Sequence, residues 1–158
     1  MTDFTLDDLQ QLYLNQERSD RDQSFNGKYK IPTFEEYVRV AKDHGVKIYP
    51  ETKTPAFFYD LTGARMENLL IDELKRLDFP TGLTIVQSFS DDSLRRVSSL
   101  DEDIPLVLLT KTPLTDEQLD DLRNEGAYGI GPSKDLIISN DGNGYRTGVT
   151  DLADRAHR

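Results

Sequence analysis

The residues best suited to chemistry are Glu51 and Lys53, which lie at the end of a predicted strand over residues 46–51. Because side chains alternate along a strand, Glu51 and Lys53 share one face. The same parity in a second predicted strand, residues 83–89, places Gln87 and Phe89 near the same rim. A carboxylate in this position can bind a hard divalent cation, and a lysine can neutralise a phosphate oxygen.

The spacing of Glu51 and Lys53 is not specific by itself. A glutamate and a lysine at a strand end more often form a surface ion pair worth under about 1 kcal/mol, and spacing alone favours that interpretation. Neither histidine is placed as a catalytic base. His44 ends a predicted helix, where it interacts with the helix dipole, and His157 lies on a short terminal helix.

The elements that must position these side chains follow from the hydrophobic pattern. Apolar runs at 46–51, 83–89, 104–109 and 127–131 predict four strands, and helical periodicity between them predicts an α/β fold with a parallel sheet. Helix-start signals occur at Thr5, Thr33, Ser90, Thr115 and Thr150. The apolar period after Thr5 extends as far as Tyr13, and the polar stretch 15–30 after it predicts a loop with a turn at Asn26-Gly27.

Two α/β architectures fit this pattern. A closed (β/α)₈ barrel needs about 250 residues, whereas an open doubly wound sheet of four or five strands fits a chain of 158 residues. No glycine-rich nucleotide-binding string follows any predicted strand, which disfavours the nucleotide-binding versions of the open fold.

Composition narrows the class of protein further. There are 19 basic and 29 acidic residues, a net charge of −10, which argues against binding to nucleic acid or to an anionic membrane surface. The absence of cysteine excludes disulfides, thiolate zinc sites and cysteine nucleophiles. No apolar stretch is long enough to predict a membrane span, and the residues after Met1 lack a signal-peptide pattern.

The order of motifs along the chain resembles the glycerophosphodiester phosphodiesterase family. The motifs that carry the resemblance lie at residues 25–36, 45–53 and 86–90. The segments 3–9 and 129–135 are similar in order and spacing to the periplasmic bacterial and plant members. Several motifs in one order are more specific than the glutamate and lysine alone, so the resemblance favours a functional role for Glu51 over the ion-pair interpretation.

The resemblance implies a (β/α)₈ barrel enzyme of lipid and glycerol metabolism that hydrolyses glycerophosphodiesters to an alcohol and glycerol 3-phosphate with Ca²⁺ or Mg²⁺. It implies Glu51 as a metal ligand, Lys53 as a phosphate contact, and Gln87 and Phe89 as substrate-binding residues at the barrel mouth. Thr52 departs from the aliphatic residue that is usual in the family. A threonine on the helix-facing side should be tolerated there.

The family's histidine-containing motifs have no counterpart in this sequence. The resemblance therefore predicts one domain over residues 1–158 that is incomplete at both ends and comprises strands three to six of a partial barrel. It predicts no catalytic residue among those present, so the chain alone should be inactive. Relatives of the same subtype are commonly periplasmic or secreted.

Two other functions remain open from the sequence. The first is a non-catalytic half-barrel module that forms homodimers through its exposed sheet edges. The second is an unrelated small α/β binding domain.

Overall fold

Helices and parallel strands alternate along much of the chain in the computed structural model, which describes residues 3–158. The helices are α1 (Leu6–Leu9), α2 (Phe34–His44), α3 (Pro55–Thr62), α4 (Met66–Arg76), α5 (Asp91–Leu100), α6 (Asp116–Asn124) and α7 (Leu152–Ala156). The strands are β1 (Val86–Ser88), β2 (Leu106–Thr110), β3 (Gly129–Pro132), β4 (Ile138–Asn140) and β5 (Arg146–Val149). The contacts divide the chain into two compact units, Met1–Gly45 and Val46–Arg158. The prediction of one domain over the whole chain stays a prediction.

The first unit contains α1 and α2, and both begin at the predicted threonines. Thr33 Oγ1 accepts from Glu36 N at 3.1 Å, and the Glu36 carboxylate accepts from Thr33 N at 2.7 Å. Thr5 makes the same capping box at α1, but that helix ends at Leu9 and does not reach Tyr13 as the apolar period predicts. Tyr13 instead pairs in antiparallel fashion with Lys30, which draws the chain out of the helical conformation.

The second unit is built on a parallel sheet in the order β1-β2-β3. Its register pairs Gln87 with Val107 and Val107 with Gly129. The segment that the sequence predicts as a strand over 46–51 lies beside β1, but it pairs only through parallel bridges at Ile48 and Glu51. Pro50 accounts for the interruption, because a proline has no N–H to donate to the neighbouring strand.

The core of this unit lies between the sheet and the helices α4 and α5. Ile48, Val86 and Val97 are fully buried there, and Ile71 and Leu94 are nearly so. These are the alternate positions of the strands and the apolar faces of amphipathic helices, as the periodicity predicts. The same alternation exposes the opposite face of the 46–51 segment, including Glu51.

The C-terminal part of the chain has its own small cluster. Leu114, Leu119 and Leu152 are buried together. The strands β4 and β5 form an antiparallel hairpin that the hydrophobic pattern did not predict. A cap at Thr150 would make Asp151 the first residue of the last helix. The helix instead begins at Leu152, and Asp151 is its N-cap residue. Thr150 Oγ1 still accepts from Leu152 N at 3.4 Å.

Candidate active site

Charged side chains from two strand ends line one open cavity of about 700 Å³. Glu51 and Lys53 come from the segment beside β1, Phe89 follows β1, and Lys111 follows β2. Because parallel strands carry their carboxyl ends to the same edge of a sheet, these side chains meet where α/β proteins place their active sites. The cavity is also lined by Thr52, Thr54, Pro55, Ala56, Phe57, Ser88 and Ser90.

Three of the four residues selected from the sequence therefore lie together, namely Glu51, Lys53 and Phe89. Gln87 pairs with Glu51 across the strands but does not line the cavity, and its Nε2 lies 3.5 Å from the backbone oxygen of Tyr49. Partial burial raises the pKa of the Tyr49 hydroxyl, so this side chain stays neutral at ordinary pH.

Glu51 and Lys53 are exposed and make no salt bridge with each other or with any other residue in the range 3–158. The surface ion pair that spacing alone favours is thus not formed. Both side chains are available to a ligand in the cavity.

Lys111 is a cavity residue that the sequence pattern did not single out. Its Nζ lies 5.4 Å from the centroid of the Phe89 ring, a cation–π contact that holds the ammonium group beside the cavity. The signal was present in the sequence, because Lys111 lies two residues beyond Leu109 at a strand end, as Lys53 lies two residues beyond Glu51. The cavity is consequently lined by two cationic side chains and one anionic side chain.

The first turn of α3 also lines the cavity, and this helix was not predicted. It begins at Pro55, and the side chain of its N-cap residue, Thr54, makes no capping hydrogen bond. The cavity-lining residues Ala56 and Phe57 therefore belong to a helix N-terminus without a side-chain cap. The positive end of a helix dipole favours an anion, which adds to the effect of the two lysines.

A chain of buried polar groups lies behind the cavity. Thr52 is 2% exposed, and its Oγ1 lies 2.8 Å from Ser93 Oγ. Ser93 Oγ in turn donates to Glu67 Oε1 at 2.6 Å, and Glu67 is 3% exposed. Thr52 is the residue that departs from the usual family pattern, and its hydroxyl is accommodated because Ser93 is its partner.

The residues present do not by themselves make up a site for a divalent cation. Ca²⁺ takes six to eight oxygen ligands. Glu51 is the one acidic side chain on the cavity within the described residues. Across residues 3–158, no three side chains of the ligand types His, Asp and Glu come together.

The fold and the site define an α/β protein whose charged cavity-lining groups lie at the carboxyl ends of parallel strands. The model of the glycerophosphoryl diester phosphodiesterase family matches residues 1–158, and the chain belongs to this family. Glycerophosphodiester phosphodiesterase GDPD6 of Arabidopsis thaliana is 32% identical over an alignment of 182 positions, and the match covers 98% of this chain and 49% of the plant protein. The chain thus spans about half the length of this relative.

Two solved structures share the fold. A protein from Galdieria sulphuraria, assigned as a glycerophosphodiester phosphodiesterase, matches 82% of this chain with a TM-score of 0.60 and 18% identity. A glycerophosphodiester phosphodiesterase from Parabacteroides distasonis matches 81% with a TM-score of 0.56 and 23% identity. This chain covers 47% of each of them. The predicted α/β class is confirmed, and the likeness supports a partial barrel.

Proposed function

We propose that this chain carries the phosphate-holding part of a glycerophosphodiester phosphodiesterase active site. The observation that carries the proposal is the convergence of Lys53, Lys111 and the N-terminal turn of α3 on one cavity. All three favour a phosphate group, and the family to which the chain belongs supports a phosphodiester as the substrate.

Each group has a distinct role in the proposed reaction. Lys53 and Lys111 bind phosphoryl oxygens and offset the negative charge that the transition state concentrates there. The amides of the α3 N-terminus orient the same group. Phe89 covers one side of the cavity and fixes the position of Lys111.

Glu51 as a ligand of Ca²⁺ or Mg²⁺ stays a prediction from the resemblance. A carboxylate beside a phosphate is unfavourable unless a cation lies between them, which agrees with that role. One carboxylate is an incomplete ligand set, so the described residues do not support a catalytic step through a cation. We expect the chain alone to bind phosphate esters without completing hydrolysis, because neither histidine lines the cavity.

Titration of the chain with glycerol 3-phosphate in a calorimeter tests the phosphate role. Lys53→Ala and Lys111→Ala should each weaken binding by about five- to tenfold, or about 1–1.4 kcal/mol, because these contacts are open to solvent and weaker than a buried charge-assisted hydrogen bond. Lys75→Ala, an equal change of charge on an exposed lysine outside the cavity, is the control. Unchanged affinity in the Lys53 variant would contradict the proposal.

A separate assay addresses the predicted role of Glu51. If the chain alone cleaved glycerophosphocholine with Ca²⁺ and Glu51→Ala left the rate unchanged, both the expected inactivity and the role of Glu51 would be wrong.

The exported location inferred from the subtype is likewise a prediction, which fractionation of producing cells would test. Among the described residues, no helix is sufficiently long and apolar to cross a membrane.

A second candidate is the dimerising module, and a specific observation favours it. Tyr49 and Phe89 are 45% and 53% exposed, and by strand alternation they belong to the same face of the sheet as Glu51 and Gln87. Exposed aromatic side chains on this face, next to a segment that pairs on one side only within residues 3–158, form a surface on which a second copy could pack. Sedimentation equilibrium separates the candidates, because the module requires a stable dimer and Phe89→Asp should dissociate it.

A further inference from the structure

The pair of site residues Glu51 and Lys53 is separated by Thr52, whose side chain points the opposite way. Thr52 is buried, whereas its two neighbours are exposed on the cavity. Its backbone is fixed on both sides, because Thr52 N donates to Gln87 O at 3.1 Å and Thr52 O accepts from Ser88 Oγ at 2.9 Å. The position of this one residue therefore sets the directions in which Glu51 and Lys53 leave the backbone.

The hydroxyl of Thr52 adds a third attachment. The number of hydroxyl hydrogens in this chain of polar groups determines which group donates each hydrogen bond. Ser93 has a single hydroxyl hydrogen, and it is donated to Glu67 Oε1 at 2.6 Å. Ser93 Oγ is then the acceptor for the Thr52 hydroxyl at 2.8 Å. The chain runs from Thr52 to Ser93 to Glu67 and joins the site segment to the first turns of both α5 and α4.

A strained turn next to the site requires this kind of support. Thr54 has φ 48° and ψ 51°, a left-handed conformation that is unfavourable for a β-branched residue. Thr54 also precedes Pro55, and the proline ring further restricts the conformation of the residue before it. Such conformations persist only where the surroundings over-determine them. The anchor at Thr52 lies two residues before Thr54 and one before Lys53, so it holds the start of the turn from which the lysine projects.

We infer that Thr52, Ser93 and Glu67 are positioning residues that hold Glu51 and Lys53 toward the cavity. The phosphate-binding consequence rests on the function proposed above. The consequence for backbone order is independent of any ligand. Thr52 borders the cavity, but its hydroxyl is bonded to Ser93, so the three residues act through the geometry of the Glu51–Lys53 segment and not by binding the phosphate.

Thr52→Val is the central test, because valine has nearly the same shape and lacks only the hydroxyl. Two quantities are measured on the whole chain, the hydrogen exchange of the residue-52 amide, which is bonded to Gln87 O, by NMR and the affinity for inorganic phosphate. We expect exchange to be about tenfold faster and phosphate binding about three- to fivefold weaker, since a buried acceptor on Ser93 loses its donor. Thr52→Ser keeps the hydroxyl and should restore both.

A matched control separates positioning from general stability. Thr84 is fully buried, and its hydroxyl makes a longer bond to Pro80 O at 3.4 Å away from the cavity. Thr84→Val should lower the melting temperature without changing exchange at the Thr52 amide or the phosphate affinity. Ser93→Ala should have a larger effect than Thr52→Val, because it leaves the buried carboxylate of Glu67 without its donor.

The outcomes are distinct. One outcome that overturns the inference is that Thr52→Val lowers stability as Thr84→Val does but leaves both the amide exchange and the phosphate affinity unchanged. Another is that the amide exchange of Thr52→Val becomes faster while its phosphate affinity stays the same. If the wild-type chain does not bind phosphate, the proposed function fails, and the exchange measurement alone then decides whether the three residues order the site segment. Exchange that is the same in Thr52→Val and wild type overturns the inference in that case too.

Discussion

Glu51 lies opposite Gln87 across two neighbouring parallel segments, and one backbone hydrogen bond to Gln87 flanks Glu51 on each side. After Glu51, Thr52 N donates to Gln87 O at 3.1 Å. Before Glu51, Pro50 accepts from Gln87 N at 3.0 Å but has no N–H to donate. The site segment is therefore attached to its neighbour on both sides of Glu51, and the hydrogen bond that Pro50 cannot donate is the gap between them.

The left-handed residue Thr54 gives a first prediction about stability. Thr54→Gly should raise the free energy of unfolding by about 0.5–1 kcal/mol, because glycine adopts φ 48° without a Cβ clash and this gain exceeds its added chain entropy. Chemical denaturation measures the change. Gly63, at φ 70° after the other end of α3, provides the reverse comparison, and Gly63→Ala should destabilise by about 1 kcal/mol. If Thr54→Gly instead destabilised the protein, the contacts of the threonine side chain would stabilise the fold by more than its strained backbone conformation costs.

A second prediction concerns the close approach of β2 and β3. A Cβ on Gly131 would lie 2.7 Å from Leu109 Cδ2, whereas a Cβ on Gly129 would have no atom within 4 Å. Gly131→Ala should therefore destabilise the protein by about 1 kcal/mol, since the leucine must move, and Gly129→Ala should be nearly neutral. Adding Leu109→Val should recover part of the loss. Equal effects of the two alanine substitutions in thermal unfolding would contradict this account.

Salt dependence gives a third prediction about the cavity. Binding of glycerol 3-phosphate should weaken as NaCl is raised from low concentration to about 0.5 M, because the Debye length falls well below 10 Å over this range. The double variant Lys53→Ala/Lys111→Ala should show a much flatter dependence, since its two closest cations are gone. Titration calorimetry at several salt concentrations provides the measurement. A slope unchanged by the double substitution would place the bound phosphate elsewhere on the chain.

The sequence predicts much of the helix and strand pattern and part of the site, for physical reasons that particular residues make clear. The capping boxes at Thr33 and Thr115 are local, since partners three residues apart suffice, and both form. Strand parity brought Glu51 and Phe89 to one cavity, because alternation holds wherever a strand forms.

The missed features depend on contacts that are distant in the sequence or on short elements. The partner of Thr52 is Ser93, 41 residues away, so its hydroxyl could be judged only as tolerable from the sequence. The helix α3 has eight residues and weak apolar periodicity, and its first turn was therefore not predicted as part of the cavity. Lys111 was missed because its contact with Phe89, which places it beside the cavity, joins residues on different strand ends that are far apart in the sequence.

The contact between α6 and α7 gives a prediction about pH. Arg155 Nε donates to the Asp116 carboxylate at 2.6 Å, and Arg155 Nη2 donates to Leu114 O at 2.7 Å. The hydrogen bond and the charge of Arg155 lower the pKa of Asp116 below its ordinary value of 3.8. A carboxyl with a lowered pKa in the folded state stabilises that state above the ordinary pKa, and the contribution disappears as pH falls through the lowered value.

Asp116→Asn should accordingly reduce stability at pH 7. The difference in stability from wild type should shrink as the pH falls below 3.8, and it should vanish once Asp116 is protonated in the folded protein as well. Urea unfolding at a series of pH values measures the difference. Asp154→Asn makes the same change of charge on α7 at an exposed residue and controls for net charge. The difference in the free energy of unfolding between wild type and Asp116→Asn could instead stay constant from pH 7 to pH 2. Asp116 would then act through its shape and not through its charge, and the ion pair would have no part in holding α7 against α6.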